Sequence, residues 1–280
     1  MNATDDLRKL QLLELDIAKE IRRICEKHNI PYFLIGGTLL GAVRHQGFIP
    51  WDDDMDIGML REDYERFVSL AKDELSLRFI LSTWEDGTDY SLPFAKVQLK
   101  NTVMEEPATS ALNLCHGIWV DIFPYDTLPY KVPFYRHYRF KLKMCYLLNL
   151  LQKGYHLEST YQCSFLHKVL YKLLRLIAKI TKHINYKDVC KNLILKYKNI
   201  DERRCETSGL LSENFIFPSK YFQELIPFSF ENETFLGPSN YDEYLTHAYG
   251  NYKQLPPVED RVAWHGVKKI QFEDETILRT

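Results

Sequence analysis

The segment from Asp52 to Met59 constrains the fold more than any other part of the sequence, because acidic and apolar residues alternate within it. It reads DDDMDIGM, and its four carboxylates form what we term the acidic cluster: Asp52, Asp53, Asp54 and Asp56. Side chains of a strand alternate between its two faces, so the methionines and the isoleucine share the buried face. The pattern therefore predicts a strand, extended from Phe48 onwards, with Asp54 and Asp56 on its open face.

Two carboxylates on one strand face repel each other unless a cation neutralises them. Asp54 and Asp56 would stand about 6–7 Å apart, which costs roughly 2.5 kcal/mol at an effective dielectric of about 20. An EF-hand calcium loop does not fit, since Ile57 takes the glycine position and Asp63 the position of the bidentate glutamate. Mg²⁺ or Mn²⁺ fits better, because it needs few carboxylates and takes further ligands from substrate phosphates. A solvated acidic turn is the remaining interpretation.

The residues before the acidic cluster favour a phosphate-binding turn. Gly36 and Gly37 follow a short apolar run and precede a helical pattern that begins at Thr38. Glycine allows close approach to the backbone, and the free N–H groups of a helix start bind phosphate, so Gly36, Gly37 and Thr38 are candidate substrate-binding residues. The succession of a strand, Gly-Gly, a short helix and a D-x-D strand resembles the nucleotidyltransferase fold of DNA polymerase beta, and this resemblance implies a third carboxylate on a later strand. Alternation in GIWVDIF, residues 117–123, places Asp121 on the open face as that third member.

Periodicity along the chain predicts an α/β (α+β) core with a mixed sheet and a separate helical region. Residues 5–28 and 62–75 have helical spacing, and apolar runs at 78–83, 94–100 and 117–123 predict strands. Between 131 and 198 the pattern is helical, with fifteen Lys and Arg against two acidic residues, although the whole chain has a net charge of −2. We therefore divide the chain into a catalytic core (1–130), a basic helical lobe (131–200) and a C-terminal segment (201–280) that completes the catalytic domain.

The same survey bounds the location of the protein. No run of eighteen apolar residues occurs and the first six residues include charges, so neither a spanning helix nor a signal peptide is predicted. Six scattered cysteines without a C-x-x-C pair fit reduced thiols, and together these features predict a cytoplasmic protein.

The basic lobe has two interpretations. It contains an apolar stripe of six residues: Leu166, Leu170, Leu173, Ile177, Ile180 and Ile184. Peripheral contact of residues 131–198 with the inner face of an anionic membrane is one interpretation, and an ordinary helix pair with a solvated basic back is the other. No nucleic-acid-binding motif accompanies the charge, so we predict no nucleic-acid partner.

Four blocks of the sequence resemble the LicD family of phosphotransferases, whose eukaryotic relatives include fukutin and the fukutin-related protein. They are GGTLLGAVRHQGFIPWDDDMDIGM (36–59), KVQLKNT (96–102), GIWVDIFPYDTLP (117–129) and YGNYKQLPPVEDRVAWH (249–265). The resemblance implies a nucleotidyltransferase-like fold and transfer of a phospho-alcohol, typically phosphocholine from CDP-choline, to a hydroxyl of a cell-surface glycan or its lipid-linked precursor. Phosphoethanolamine and ribitol or glycerol phosphate donors remain open. So do nucleotidyl transfer from an NTP and a catalytically silent glycan-binding protein.

Roles for individual residues follow from this hypothesis. Asp54 and Asp56 would hold the metal with help from Asp52, and Asp121 would either ligate the metal or accept the proton of the incoming hydroxyl. Arg44 suits phosphate oxygens, although pairing with the acidic cluster is equally consistent, and His45 would orient substrate or cap the turn.

The remaining candidates are substrate-binding residues. Lys96 and Lys100 share a strand face and suit phosphate or ribose contacts, or else form a solvated face. Trp119, with Phe123 and Trp51, would offer aromatic faces to a choline head group. The resemblance alone singles out His265.

Overall fold

The fold is a mixed sheet covered by helices, with a three-helix lobe attached. The computed structural model describes residues 3–128, 133–157, 164–197, 204–207, 215–263, 267 and 269–273. The helices are α1 (Ala3–His28), α2 (Gly36–His45), α3 (Arg61–Glu74), α4 (Tyr135–Lys153), α5 (Phe165–Ile180), α6 (Tyr186–Leu195) and α7 (Tyr241–Tyr249). The first six strands are β1 (Phe33–Leu34), β2 (Asp56–Leu60), β3 (Phe79–Ser82), β4 (Ala95–Leu99), β5 (Val103–Glu105) and β6 (Trp119–Thr127). The others are β7 (Arg204–Thr207), β8 (Ile216–Pro218), β9 (Leu225–Phe230), β10 (Glu233–Pro238) and β11 (Lys269–Gln271).

The central sheet has the order β1-β2-β6-β4-β3, and β7 extends it by pairing with β6 and β8. Strand β6 lies in the middle, parallel to β2 and antiparallel to β4 and β7. All residues of β6 except the last are buried, because neighbours cover both its edges and both its faces. The prediction of a mixed sheet is confirmed.

Helix α1 packs across the sheet because its apolar residues recur at helical spacing. Ile17, Ile21 and Ile24 are fully buried in the main core, and the polar face turns outward. Three ion pairs among the described residues connect α1 to the β9–β10 hairpin: Arg8 with Glu231 at 2.6 Å, Arg22 with Glu233 at 2.7 Å and Lys19 with Glu233 at 3.6 Å. The hairpin in turn packs on α2, so the C-terminal third of the chain closes around the first fifty residues.

The predicted strand from Phe48 is wrong in its first half. Residues 48–55 have irregular structure, with a turn in which the Asp52 N–H donates to the Ile49 carbonyl, and β2 begins only at Asp56. Pro50 interrupts the segment because it has no N–H to donate to a neighbouring strand. The alternation holds where it matters for the core: Met55, Ile57 and Met59 are all buried.

Helices α4, α5 and α6 surround a second apolar cluster. Within α5 only Leu174 and Ala178 are buried, and the five members of the predicted apolar stripe that lie on α5 are exposed, whereas Ile184 is partly buried beyond the helix. Leu174 and Ala178 pack α5 against the rest of the lobe and its lysines are solvated, as in an ordinary helix pair, but this packing leaves the exposed apolar residues of α5 uncovered. None of the described helices is both long and apolar enough to cross a bilayer.

Candidate active site

The acidic cluster is gathered by the irregular loop in front of β2. One carboxylate oxygen from each of Asp52, Asp53 and Asp54 lies within 4.8 Å of the others. Asp53 is buried, with 4% of its surface exposed, although strand alternation excludes it from the open face. The loop therefore brings Asp53 together with Asp52 and Asp54, whereas Asp56, predicted to share a cation with Asp54, is not among these three.

Asp56 and Asp121 lie side by side on neighbouring parallel strands. They are register partners in the β2–β6 pairing, and the Asp121 N–H donates to the Met55 carbonyl at 3.2 Å. Directly paired residues of a parallel ladder point to the same face of the sheet. The sequence prediction that Asp121 shares the open face with Asp56 agrees with this register.

The Gly-Gly turn runs directly past these carboxylates. A methyl group on Gly36 would stand 3.6 Å from Oδ2 of Asp56, and one on Gly37 would stand 2.8 Å from Oδ2 of Asp52. Gly36 also has a φ of +53°, which other residues adopt only with strain. The backbone conformation therefore favours glycine at position 36, and a side chain at position 37 would displace the Asp52 carboxylate.

Two groups assigned to substrate have partners within the protein. The Gly36 N–H donates to the hydroxyl of Tyr244 at 3.1 Å. The hydroxyl of Thr38 accepts from the Asp56 N–H at 2.8 Å, so Thr38 fixes the start of β2. Gly37 and the beginning of α2 are the parts of the predicted phosphate-binding turn that lie beside the acidic cluster.

Sequence reasoning missed Glu14, which faces the acidic cluster from α1. It is 1% exposed, and its Oε2 has no hydrogen-bond partner among the described residues. Burial, and then the charges of the acidic cluster, raise the pKa of Glu14 well above its usual 4.5. Its neighbour Gln11 donates to the carbonyls of Ile49 and Asp52, which holds the acidic loop against α1. The sequence signal that could have identified Glu14 is the position of a carboxylate on the apolar face of α1.

Cationic and aromatic side chains border the acidic cluster on the side of α2. Arg44 donates from Nη1 to the Tyr252 carbonyl at 3.0 Å and from Nε to Nε2 of His45 at 2.9 Å. Burial and the charge of Arg261 lower the pKa of Arg44, while Asp52 acts in the opposite direction. Burial, and then Arg44, lower the pKa of His45 below 6.5, so neutral imidazole accepts the Arg44 hydrogen bond. Two neighbouring guanidinium groups favour an anionic ligand.

Lys96 is buried on the sheet face that carries Asp121, its cross-strand partner in the β4–β6 pairing. Its Nζ lies 3.6 Å from Oδ1 of Asp121, 3.7 Å from Oε2 of Glu106 and 3.6 Å from the centre of the Trp119 ring. The side chain is 8% exposed, and the ammonium already has two anionic partners and one aromatic partner. These contacts favour a positioning role for Lys96 over direct contact with substrate.

The aromatic faces predicted for choline are covered by the chain's own groups. Trp119 is 4% exposed beneath Lys96, and Phe123 packs on Phe94 with ring centres 4.4 Å apart. The guanidinium of Arg261 lies 5.3 Å from the centre of the Trp51 ring. The expected cage of these three rings is therefore not formed in this structure.

Two further candidates are not placed at the site. Lys100 is exposed in the turn after β4, four positions beyond Lys96 and roughly 13 Å from it along the strand direction. His265 lies outside the described residues.

The donor set matches a hard divalent cation. It consists of carboxylate oxygens alone, the ligands that Mg²⁺ and Mn²⁺ prefer, and three of them converge within 4.8 Å. The buried Oε2 of Glu14 adds an unsatisfied acceptor behind them. A mixed sheet with carboxylates on adjacent strands, a Gly-Gly helix start and two arginines defines a site suited to phosphoryl transfer.

Comparison with known proteins identifies the family. Residues 29–152 match the family model described as "LicD/FKTN/FKRP, nucleotidyltransferase domain". The chain is 33% identical over 273 residues to the lipopolysaccharide cholinephosphotransferase LicD of Haemophilus influenzae, covering 92% of this chain and 96% of that protein. The chain belongs to the LicD family and is a phosphotransferase, which confirms the resemblance predicted from the sequence.

Shorter matches connect the chain to ribitol-phosphate transferases. The ribitol 5-phosphate transferase FKRP of Homo sapiens is 44% identical over 48 residues, which are 17% of this chain and 10% of that protein. The ribitol-5-phosphate transferase FKTN of Mus musculus is 34% identical over 80 residues, 26% of this chain and 17% of that protein. The family match from 29 to 152 includes both the acidic cluster and Asp121.

Proposed function

We propose that this chain transfers phosphocholine from CDP-choline to a hydroxyl of a cell-surface glycan, or of its lipid-linked precursor, and releases CMP. The strongest support is the 33% identity, along nearly the whole chain, to a lipopolysaccharide cholinephosphotransferase. We also propose that the core has the nucleotidyltransferase fold of DNA polymerase beta. The succession of β1, α2, β2 and β6, with carboxylates at the start of β2 and on β6, supports that assignment.

In this reaction the acceptor oxygen forms a bond to the phosphorus that carries choline. The bond from that phosphorus to the bridging oxygen of CMP breaks, and CMP leaves with the electron pair. Asp54 and Asp56 would hold Mg²⁺ or Mn²⁺ with help from Asp52, and the cation would neutralise charge on the diphosphate. Asp53 extends the same carboxylate group from the buried side of the loop.

Asp121 serves in this proposal as a charged carboxylate and not as the proton acceptor. The Lys96 ammonium lies 3.6 Å from Oδ1 of Asp121, and a carboxylate held against cations is a poor proton acceptor. Because Asp121 and Asp56 are register partners, both can face one cation. The proton of the acceptor hydroxyl then leaves to solvent.

Arg44 and Arg261 bind the diphosphate oxygens of the donor in this arrangement. Their guanidinium groups repel each other in the free protein, and an anion between them relieves that repulsion. Nε2 of His45 accepts a hydrogen bond from the Nε–H of Arg44 and thereby orients the guanidinium. This contact requires neutral imidazole, so protonation of His45 at low pH would release Arg44.

A ribitol phosphate donor is the second candidate, because the covered rings of Trp51 and Trp119 provide no choline cage. A polyol needs hydrogen-bond partners and no aromatic faces. The two donors share the leaving group, so CMP release alone does not distinguish them.

The test is incubation of the purified protein with Mg²⁺, a glycan acceptor and each donor in turn: CDP-choline, CDP-ethanolamine, CDP-ribitol, CDP-glycerol and the NTPs. We expect CMP release and acceptor labelling with CDP-choline. Pyrophosphate release from an NTP would instead show that the protein is a nucleotidyltransferase. Binding of the acceptor without turnover of any donor would show that it is a glycan-binding protein.

Matched variants connect the reaction to the site. Asp54→Asn, Asp56→Asn and Asp121→Asn should each lower kcat/KM by about a hundredfold or more, because each removes charge that stabilises the transition state. Asp73→Asn makes the same chemical change at an exposed position of α3 and should be neutral. Turnover near the wild-type value in any of the first three would remove the role assigned to that residue.

A further inference from the structure

Helix α5 presents an uncovered apolar face to solvent. Eight of its side chains are both apolar and exposed: Phe165, Leu166, Val169, Leu170, Leu173, Leu176, Ile177 and Ile180. At 100° per residue they lie within one continuous arc of about 140° on the helix. Monomeric proteins rarely expose so many contiguous apolar side chains unless the face binds something.

Basic residues occupy the next arc of the same helix. They are Lys168, Lys172, Arg175 and Lys179, and α5 contains no Asp or Glu. The ammonium groups of Lys168, Lys172 and Lys179 form no ion pair with any described residue. In contrast, Lys187 and Lys191 of α6 both pair with Glu85. The positive charge of these three lysines is thus available to an external partner.

The arrangement of charge selects the partner. An apolar arc bordered by lysines matches an anionic lipid surface, where acyl chains take the apolar side chains and lipid phosphates take the ammonium groups. A second copy of the chain fits poorly, because pairing two α5 helices through this face would bring two basic rows together. A transmembrane orientation is also excluded for α5, which is too short and too charged.

We propose that α5 docks the protein on the surface of an anionic phospholipid bilayer, with its apolar arc at the boundary between head groups and acyl chains. Leu173 and Leu176, each 57% exposed, lie within the inserted face. Lys168 and Lys172 remain level with the lipid phosphates. This interaction is independent of the proposed transfer reaction, because it requires neither donor nor acceptor.

Vesicle co-sedimentation tests the proposal with the whole chain and no substrate. We expect binding to vesicles of phosphatidylcholine and phosphatidylglycerol at low salt, weaker binding at high salt, and little binding to phosphatidylcholine alone. Leu173→Gln/Leu176→Gln should weaken the partition coefficient by about tenfold for each leucine. Lys168→Gln/Lys172→Gln should weaken it by about fivefold for each lysine.

Two control double variants make the same kinds of substitution outside α5. Leu77→Gln/Val258→Gln alters apolar residues that are 90% and 73% exposed outside the lobe, and should leave binding unchanged. Lys141→Gln/Lys143→Gln removes two exposed charges from α4 in the same lobe and should have a smaller effect than the α5 pair. Circular dichroism of each variant checks that it folds.

Three outcomes would overturn the proposal. They are absence of binding to anionic vesicles at low salt, equal losses in the α5 and control pairs, and a wild-type dimer that the leucine pair converts to a monomer with vesicle binding intact. Asp56→Asn separates this proposal from the enzymatic one, since it should abolish transfer and leave vesicle binding unchanged.

Discussion

Replacing Lys96 by methionine tests how far Asp121 depends on a buried ammonium. Lys96 and Asp121 are each 6% exposed, and Nζ lies 3.6 Å from the carboxylate. Methionine retains an unbranched apolar side chain of similar length and removes the charge. The substitution therefore leaves a carboxylate buried without its cation.

The expected loss follows from the geometry. At an effective dielectric of about 20, unit charges 3.6 Å apart attract by about 4.6 kcal/mol, and the cost of burying the ammonium offsets part of this. Removing one partner of a buried pair costs about 3–5 kcal/mol, because the other charge stays buried. Glu106, with 24% of its side chain exposed, reaches water more easily and contributes less. For a chain of this size we expect Tm to fall by about 10 °C.

A double-mutant cycle measured by urea denaturation in metal-free buffer isolates the pair. The free energy of unfolding of the Lys96→Met/Asp121→Asn double variant should fall by at least about 2 kcal/mol less than the sum of the two single-variant losses. The reason is that the double variant contains no unpaired charge at this pair. Lys187→Met is the matched control, because its partner Glu85 is 42% exposed and the pair is worth about 1 kcal/mol or less.

Additive losses in the cycle, or a Lys96→Met variant as stable as the wild type, would refute a positioning role for Lys96. A stable Lys96→Met variant with a greatly raised KM for the donor would instead establish Lys96 as a substrate ligand.

Three further predictions concern stability and pH. The pKa of Glu14 is raised in the folded state, so unfolding above pH 4.5 releases a proton and the free energy of unfolding falls as pH rises towards the folded pKa. In EDTA, the Glu14→Gln variant should show a smaller fall and a higher melting temperature than the wild type near pH 7. An unchanged dependence of stability on pH would contradict this. Gly58→Ala should cost about 1–3 kcal/mol in urea denaturation, because its methyl group would stand 2.5 Å from the Phe33 ring, and a neutral result would count against the packing described. In the wild type, protonation of His45 below its lowered pKa should weaken binding of the donor, seen as a rise in KM at low pH. The His45→Gln variant should not show this rise. An unaltered profile of KM against pH would mean that His45 does not orient Arg44.

The parts of the site that follow from local periodicity could be predicted from the sequence. Alternation along two strands placed Asp56 and Asp121 on an open face, and the Gly-Gly turn was found before the helix that it begins. The parallel register that sets these two carboxylates side by side is a long-range property and does not follow from either strand alone.

Contacts between distant elements could not be predicted in the same way. Helical spacing assigns Glu14 to the buried face of α1, but only the packing of α1 against the acidic loop makes it part of the site. Asp53 was missed because the loop is irregular where alternation required a strand. Periodicity likewise gave the face of Trp119 without indicating that Lys96 covers its ring.

The hydrogen bond from the Gly36 N–H to Tyr244 has a consequence for biosynthesis. The two residues are 208 positions apart, and Arg44 contacts Tyr252 across a similar separation. At about 5–20 residues per second, a ribosome needs roughly 10–40 s to translate the intervening chain. During that interval the acidic loop and the Gly-Gly turn exist without α7 and the segment that follows it. The nascent protein therefore acquires its completed site late, after most of its sheet can form, and a translational pause before residue 244 would prolong the incomplete state.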